Sequence, residues 1–198
     1  MVAEEKQLAR PPYISPEEYL ERERNAFEKS EYYEGEIRPM AGASFNHNRV
    51  RDNVNGKVIT HLEEGNCQSF SSDMRIHLPE TTLFAYPDIV IVCGQPELLD
   101  DNFDNLLNPV VIIEVLSDGT EKYDRNLKFQ RYQKIPSFRE YILISSQTVD
   151  VEVWRKGDAG QWTLAEQHTD PAASFRVDTI DLPISLTIVY ARTTGILV

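Results

Sequence analysis

The sequence predicts a mixed α/β (α+β) domain, with a mixed central sheet flanked by helices and extended by further antiparallel strands. Three observations predict it. Two stretches with helical signals precede a set of apolar runs of strand length, and a third helical stretch follows them. The runs near 85–93 and 109–116 are nearly continuous in Val and Ile, as strands buried on both faces are. The tail of the domain is β-rich, and Thr148–Trp154 alternates apolar and polar residues, the pattern of a half-exposed strand.

The elements follow in order. Residues 1–12 read as a loose tail ending at Pro11-Pro12, and 13–198 as a single domain. Ser15-Pro16-Glu17-Glu18 opens a helix, with Ser as N-cap, Pro in the first turn and acids beside the helix N-terminus; it is expected to reach about Lys29. Tyr32 to Met40 reads as a hairpin turning at Glu34-Gly35. Val50, Val54, Val58 and Leu62, with Ile59 alongside, predict a second helix from about Ser44 to Glu64, stopped by Gly65-Asn66. Strands are expected at about 67–78, 85–93 and 109–116, and 94–108 reads as a solvated loop rich in Asp and Asn. A helix over about 121–134 ends before Pro136. Strands over 139–145 and 148–154, and a partner at Trp162-Thr163-Leu164 across the Lys156–Gly160 turn, complete the reading.

Bulk properties bound the function. No apolar stretch approaches the roughly 20 residues of a membrane span, so no membrane partner is expected. The polar N-terminal residues carry no signal-peptide core, which makes a cytoplasmic location the expectation. Cys67 and Cys93 match no zinc spacing, and no disulfide is inferred; Cys93 reads as a small core residue. The net charge of −12 opposes long-range attraction to a phosphate backbone, so a nucleic-acid contact would need a local basic patch, bridging cations or a dimer.

The chemistry lies in two acids. Asp88 leads the run Ile89-Val90-Ile91-Val92, and Glu114 interrupts Val110-Val111-Ile112-Ile113 and Val115-Leu116. A carboxylate costs several kcal/mol to bury without a partner, and two on neighbouring strands repel. A divalent cation with hard oxygen ligands, Mg²⁺ or Mn²⁺, would satisfy both. Such a cation suits phosphodiester hydrolysis, which also benefits from a nearby Lys. The position two residues after Glu114 is Leu116, so a strand-borne Lys is missing. On the following helix, Asp124 and Lys128 stand at i, i+4, and Lys128 could reach back to the carboxylates.

The chain resembles the Uma-type restriction endonuclease family of the PD-(D/E)XK nuclease superfamily. The resemblance runs over about residues 13–192. Its motifs are Ala41-Gly42-Ala43-Ser44, His47-Asn48, Ser72-Asp73-Met74-Arg75, Tyr86-Pro87-Asp88, Asn108-Pro109, Glu114-Val115-Leu116-Ser117, Tyr123-Asp124-Arg125, Lys128 and Ile135-Pro136-Ser137. It implies a restriction-endonuclease-like fold and Mg²⁺- or Mn²⁺-dependent cleavage of DNA. Asp88 and Glu114 then match the metal-binding acids, with the backbone carbonyl of Val115 or Leu116 as a further ligand. Lys128 matches a lysine moved from strand to helix. His47 and Asp73 match polar positions of the same cleft.

Blander roles stand beside these. Asp88 could be a turn residue after Pro87, and Glu114 could pair with a buried Lys or Arg. His47 could be a cap or surface residue instead of a metal, phosphate or water contact; Asp73 could pair with Arg75 or Arg51. Asp124 reads as orienting Lys128 or capping its helix. Two other functions compete with the endonuclease: a catalytically silent interaction module on the same fold, which the acidity favours, and hydrolysis of another phosphate ester. An exposed strand edge near Val149–Trp154 would support a homodimer, whose twofold axis suits cutting duplex DNA.

Overall fold

The protein is described from a computed structural model covering residues 12–196. Nearly all of the expected tail lies outside the described residues.

Helix α1 (Pro16–Arg24) starts as its sequence dictates: Ser15 Oγ accepts the Glu18 N–H at 3.2 Å. It stops short of Lys29, because Asn25 closes it by donating its side-chain amide to the Glu21 carbonyl at 2.7 Å. Strands β1 (Ser30–Tyr33) and β2 (Glu36–Pro39) form the expected hairpin, and Glu34 and Gly35 both take the positive φ its turn requires. Helix α2 (Phe45–Leu62) is capped by Ser44 and buries Val50, Val54 and Val58, whereas Ile59 is exposed.

The expected strand over 67–78 is two strands in two sheets. Strand β3 (Cys67–Ser71) and β4 (Arg75–Leu78) are separated at Ser72, whose φ is +34°. Likewise β5 (Leu83–Ala85) and β6 (Ile89–Cys93) part at Tyr86-Pro87-Asp88 and enter different sheets. The loop over 94–108 is more than solvated chain. It contains β7 (Asn105–Leu106), both residues fully buried, and its Asp100 and Asp104 bind Arg24 of α1 at 2.7 and 2.8 Å. Strand β8 (Val111–Leu116) leads to a helical run of three pieces: α3 (Glu121–Tyr123), a π turn (Asp124–Lys128) and α4 (Phe129–Tyr132). Strands β9 (Glu140–Ser145), β10 (Val151–Lys156) and β11 (Trp162–His168) follow, then the hairpin β12 (Ser174–Val177) and β13 (Leu182–Ser185), and α5 (Leu186–Val189).

The larger sheet has the order β11-β10-β9-β8-β6-β3; β8 and β9 are parallel and the other neighbours antiparallel. Strand β10 is paired on both sides, so the edge expected near Val149–Trp154 is absent and β11 is the edge instead. A smaller sheet has the order β2-β1-β5-β4-β7. The larger sheet carries a core on each face. One packs Ile89, Ile91, Ile113 and Val115 against the valines of α2 and the β12–β13 hairpin. The other packs Val90, Ile112 and Leu116 against Phe129 and Tyr132, with Ile76, Leu83 and Ala85 of the smaller sheet. Two layers thus close over the face to which residues 112, 114 and 116 point.

The expectation of no disulfide is overturned by the structure. Cys67 and Cys93 are register partners on antiparallel β3 and β6 and are joined by a disulfide. Their separation of 26 residues gives no hint of it, because pairing depends on which strands become neighbours.

Candidate active site

Asp88 sits one residue before β6. The β6–β8 register pairs Ile89 with Ile113, so one step further Asp88 stands opposite Glu114. Each acid is held by the other's strand: the Val115 N–H donates to Asp88 Oδ2 at 2.8 Å, and the Asp88 N–H donates to Glu114 Oε2 at 3.3 Å. Because β6 begins only at Ile89, Asp88 lies at the rim of the sheet with a side chain 16% exposed, whereas Glu114 is buried.

Lys128 reaches this pair from the helical run. Its Nζ lies 2.9 Å from Glu114 Oε1, 3.0 Å from Glu31 Oε1 and 3.5 Å from Asp124 Oδ1. The π turn replaces the regular helix that the sequence predicts. Asp124 and Lys128 bound it, and both face inward and are buried. Leu116, where a strand-borne Lys would stand, is instead packed into the core with Phe129 and Tyr132 nearby. Tyr132 donates its hydroxyl to Glu114 Oε1 at 3.0 Å.

Sequence reasoning missed Glu31. It comes from β1 of the smaller sheet, where Tyr32 faces Tyr19 and Phe84 and its neighbours Glu31 and Tyr33 face the helix. Tyr33 lies against the Arg131 guanidinium, 3.3 Å from ring centroid to carbon, and Arg131 donates to the Tyr123 hydroxyl at 2.7 Å. This stack fixes the hairpin against the helix that carries Lys128. The only local signal for Glu31 was an acid inside a β-hairpin, which is ordinarily solvated.

The electrostatics follow from a count. Three carboxylates, Glu31, Glu114 and Asp124, gather about one ammonium, and Asp88 stands beside Glu114. Burial, with repulsion from Asp124 and Asp88, pushes the Glu114 pKa up to about 8 against the pull of Lys128. Burial likewise raises Asp124. Burial works against the charge of Lys128, but Glu114 and Glu31 outweigh it and hold its pKa well above the ordinary lysine value.

His47, in the first turn of α2, approaches Asp88 from the other side of the sheet; its Nε2 is 3.3 Å from Asp88 Oδ2. Asp73 does not join the group. It is ion-paired with Lys29 and its side chain is 84% exposed, because the turn at Ser72 sends it outward; neither Arg75 nor Arg51 is its partner. The other acids open onto a cleft of about 1490 Å³, lined also by Arg38, Arg51, Ser117 and Tyr123.

The residues fit a hard divalent cation. The donor oxygens are carboxylates in excess over the nearby cation, and both protein contacts to Asp88 fall on Oδ2. Among the described residues no three His, Cys, Asp or Glu side chains converge as a closed cage. Mg²⁺ commonly takes one or two carboxylates and keeps several waters, so a cation here would rest on Asp88 and Glu114 alone among these side chains.

The comparisons agree with this architecture. A family model described as "Uma2: Putative restriction endonuclease" matches residues 16–188. Two relatives come from Synechocystis sp. (strain ATCC 27184 / PCC 6803 / Kazusa). "Uncharacterized protein sll1609" is 39% identical over 77% of this chain and 86% of its own length. "Uncharacterized protein slr1290" is 32% identical over 90% and 92%. The crystal structure of "a putative nuclease belonging to DUF820" from Anabaena variabilis ATCC 29413 superposes with a TM-score of 0.74 at 19% identity. The superposition covers 90% of this chain and 98% of that one, and it establishes a shared fold.

Proposed function

The chain belongs to the Uma2 restriction endonuclease family, and from that premise we propose that it hydrolyses DNA phosphodiester bonds using Mg²⁺ or Mn²⁺. The observation that carries this reading is the Asp88–Glu114 pair, opposed across two strands, with the Lys128 ammonium 2.9 Å from Glu114. Asp88, Glu114 and the backbone carbonyl of Val115 would hold the cation. When bound, it supplies charge neutralisation at the phosphate and a lowered pKa for the attacking water.

The chain's own groups divide the remaining work. Lys128 stays protonated in this acidic setting, so it serves as a hydrogen-bond donor and positive charge and does not remove a proton. It would orient the attacking water and oppose charge that develops on phosphorus. Glu31, Asp124 and Tyr132 position the Lys128–Glu114 pair. His47 holds Asp88 through Oδ2. Asp73 has no part in this arrangement.

Circular DNA, supercoiled or single-stranded, incubated with Mg²⁺ or Mn²⁺ tests the proposal. Conversion to nicked and linear forms is expected with the native protein and not with Glu114→Gln. Equal conversion by both proteins rejects the assignment. A second reading, a catalytically silent module on the same fold, is favoured by the net charge of −12. Isothermal titration with Mn²⁺ separates the two: a folded protein that takes up no Mn²⁺ at millimolar concentration is the silent module.

A further inference from the structure

Three large, exposed apolar side chains line the cleft. Phe27, Met40 and Phe45 line it with relative exposures of 108%, 38% and 61%. They come from two segments held side by side, since the Met40 N–H donates to the Lys29 carbonyl at 2.9 Å where the β1–β2 hairpin opens. Ala41, Gly42 and Ala43 continue this lining, and a methyl group built on Gly42 would meet nothing within 4 Å. Phe45 opens α2 two residues before His47, so the apolar lining adjoins the acid pair. Single exposed apolar residues need no explanation, but a group of them lining a polar site marks a binding surface.

The charge around them selects the occupant. Arg38 and Arg51 line the same cleft, and the Arg49 guanidinium lies 5.9 Å from the Phe45 ring centroid. With Lys29 and Lys128, which also line the cleft, these cations are still outnumbered by Glu28, Glu31, Asp88, Glu114, Asp118 and Asp124, in a chain of net charge −12. A duplex presents its dense phosphates outward and hides its base faces, so it meets the repulsion and gains nothing from the rings. A single strand has the lower charge density and offers base faces that stack on aromatic side chains.

We propose that Phe27, Met40 and Phe45 form a stacking site for unpaired nucleobases, which makes single-stranded DNA the substrate class. The cleavage of a strand so bound rests on the phosphodiester-hydrolysis reading; the binding itself does not.

Fluorescence anisotropy with labelled oligothymidylate of about 20 nucleotides, and with a mixed-sequence duplex of the same length, tests it in Ca²⁺ buffer at low salt. The single strand is expected to bind at least about tenfold more tightly. The double variant Phe27→Ala/Phe45→Ala is expected to lose that margin, as stacking energies per base imply. The single variant Phe27→Trp, with a larger ring, is expected to tighten single-strand binding and so guards against a folding defect in the first. Equal or tighter binding of the duplex overturns the inference, as does unchanged single-strand affinity in the folded double variant. Incubation of the same oligonucleotides with Mn²⁺ separates the two readings. Preferential binding of the single strand without cleavage sinks hydrolysis and keeps the stacking site. Cleavage together with preference for duplex sinks the stacking site alone.

Discussion

Asp88 and Glu114 each receive a hydrogen bond from the backbone of the other's strand, the Val115 N–H reaching Asp88 at 2.8 Å and the Asp88 N–H reaching Glu114 at 3.3 Å. Fixing two acids to backbone rather than to flexible side chains holds them at the spacing of the sheet. It also keeps two acids together, and their mutual repulsion helps to raise the Glu114 pKa.

Glu114→Gln is expected to separate activity from stability. The amide keeps the shape and removes a buried charge. Cleavage of circular DNA should fall by about a hundredfold or more, while thermal unfolding without metal should not drop. A parallel loss of melting temperature would show that Glu114 is chiefly a scaffold residue.

Lys128→Met should do the reverse to the fold. It leaves Glu31, Glu114 and Asp124 buried around a vacated charge, and breaking such a group costs roughly 3–5 kcal/mol. Adding Glu31→Gln should recover part of that loss. Urea denaturation of the single and double variants reads both effects, and strictly additive losses would refute the coupling.

Stability without metal should depend on pH through Glu114. Its pKa is about 8 when folded and near 4.5 as an ordinary glutamate, so the folded state binds the proton more tightly. The resulting stabilisation is complete below pH 4.5, declines as pH rises through the interval, and is gone above about 8. The swing is a few kcal/mol in order of magnitude. The difference between native protein and Glu114→Gln, measured by denaturation in EDTA across pH 5–9, should show this decline, because titrating groups outside the Glu31–Asp88–Asp124–Lys128 cluster cancel. A flat difference would remove the buried charge from the account.

Reduction of the Cys67–Cys93 disulfide should cost stability but not function. The bond ties edge strand β3 to β6 at the end opposite Asp88. Closing a loop of this length restrains the unfolded chain by roughly 3 kcal/mol. Cys67→Ser/Cys93→Ser should therefore lower the denaturation midpoint while cleavage at ambient temperature persists. Lost cleavage in a folded variant would mean that β6 transmits strain to Asp88.

Elements with local signatures were legible in the sequence. Ser15 and Ser44 fixed helix starts, Glu34-Gly35 fixed the hairpin turn, and the Val50–Val54–Val58 spacing fixed the buried face of α2. The acids within apolar runs pointed to Asp88 and Glu114, and Lys128 is brought to Glu114. What stayed hidden was decided by which strands become neighbours. Residues 67–78 read as one strand because apolar content does not report the sheet a segment joins; the reversal at Ser72 splits it and turns Asp73 away from the cleft. The Cys67–Cys93 bond, the contact of Glu31 with Lys128 and the burial of β10 between two partners are consequences of pairing across long stretches of chain. The π turn has no sequence signature that we can identify.

The contribution of Glu31 from the smaller sheet has a final consequence. The counterion set of Lys128 is assembled from both layers, so it comes into being only when the hairpin has docked over the helix. A partly folded intermediate with the larger sheet intact but the smaller one detached would hold the two strand-borne acids without a restrained ammonium. With Lys128 acting as proposed, competence and completion of folding become a single event, and hydrogen exchange of the β1 amides would report on both.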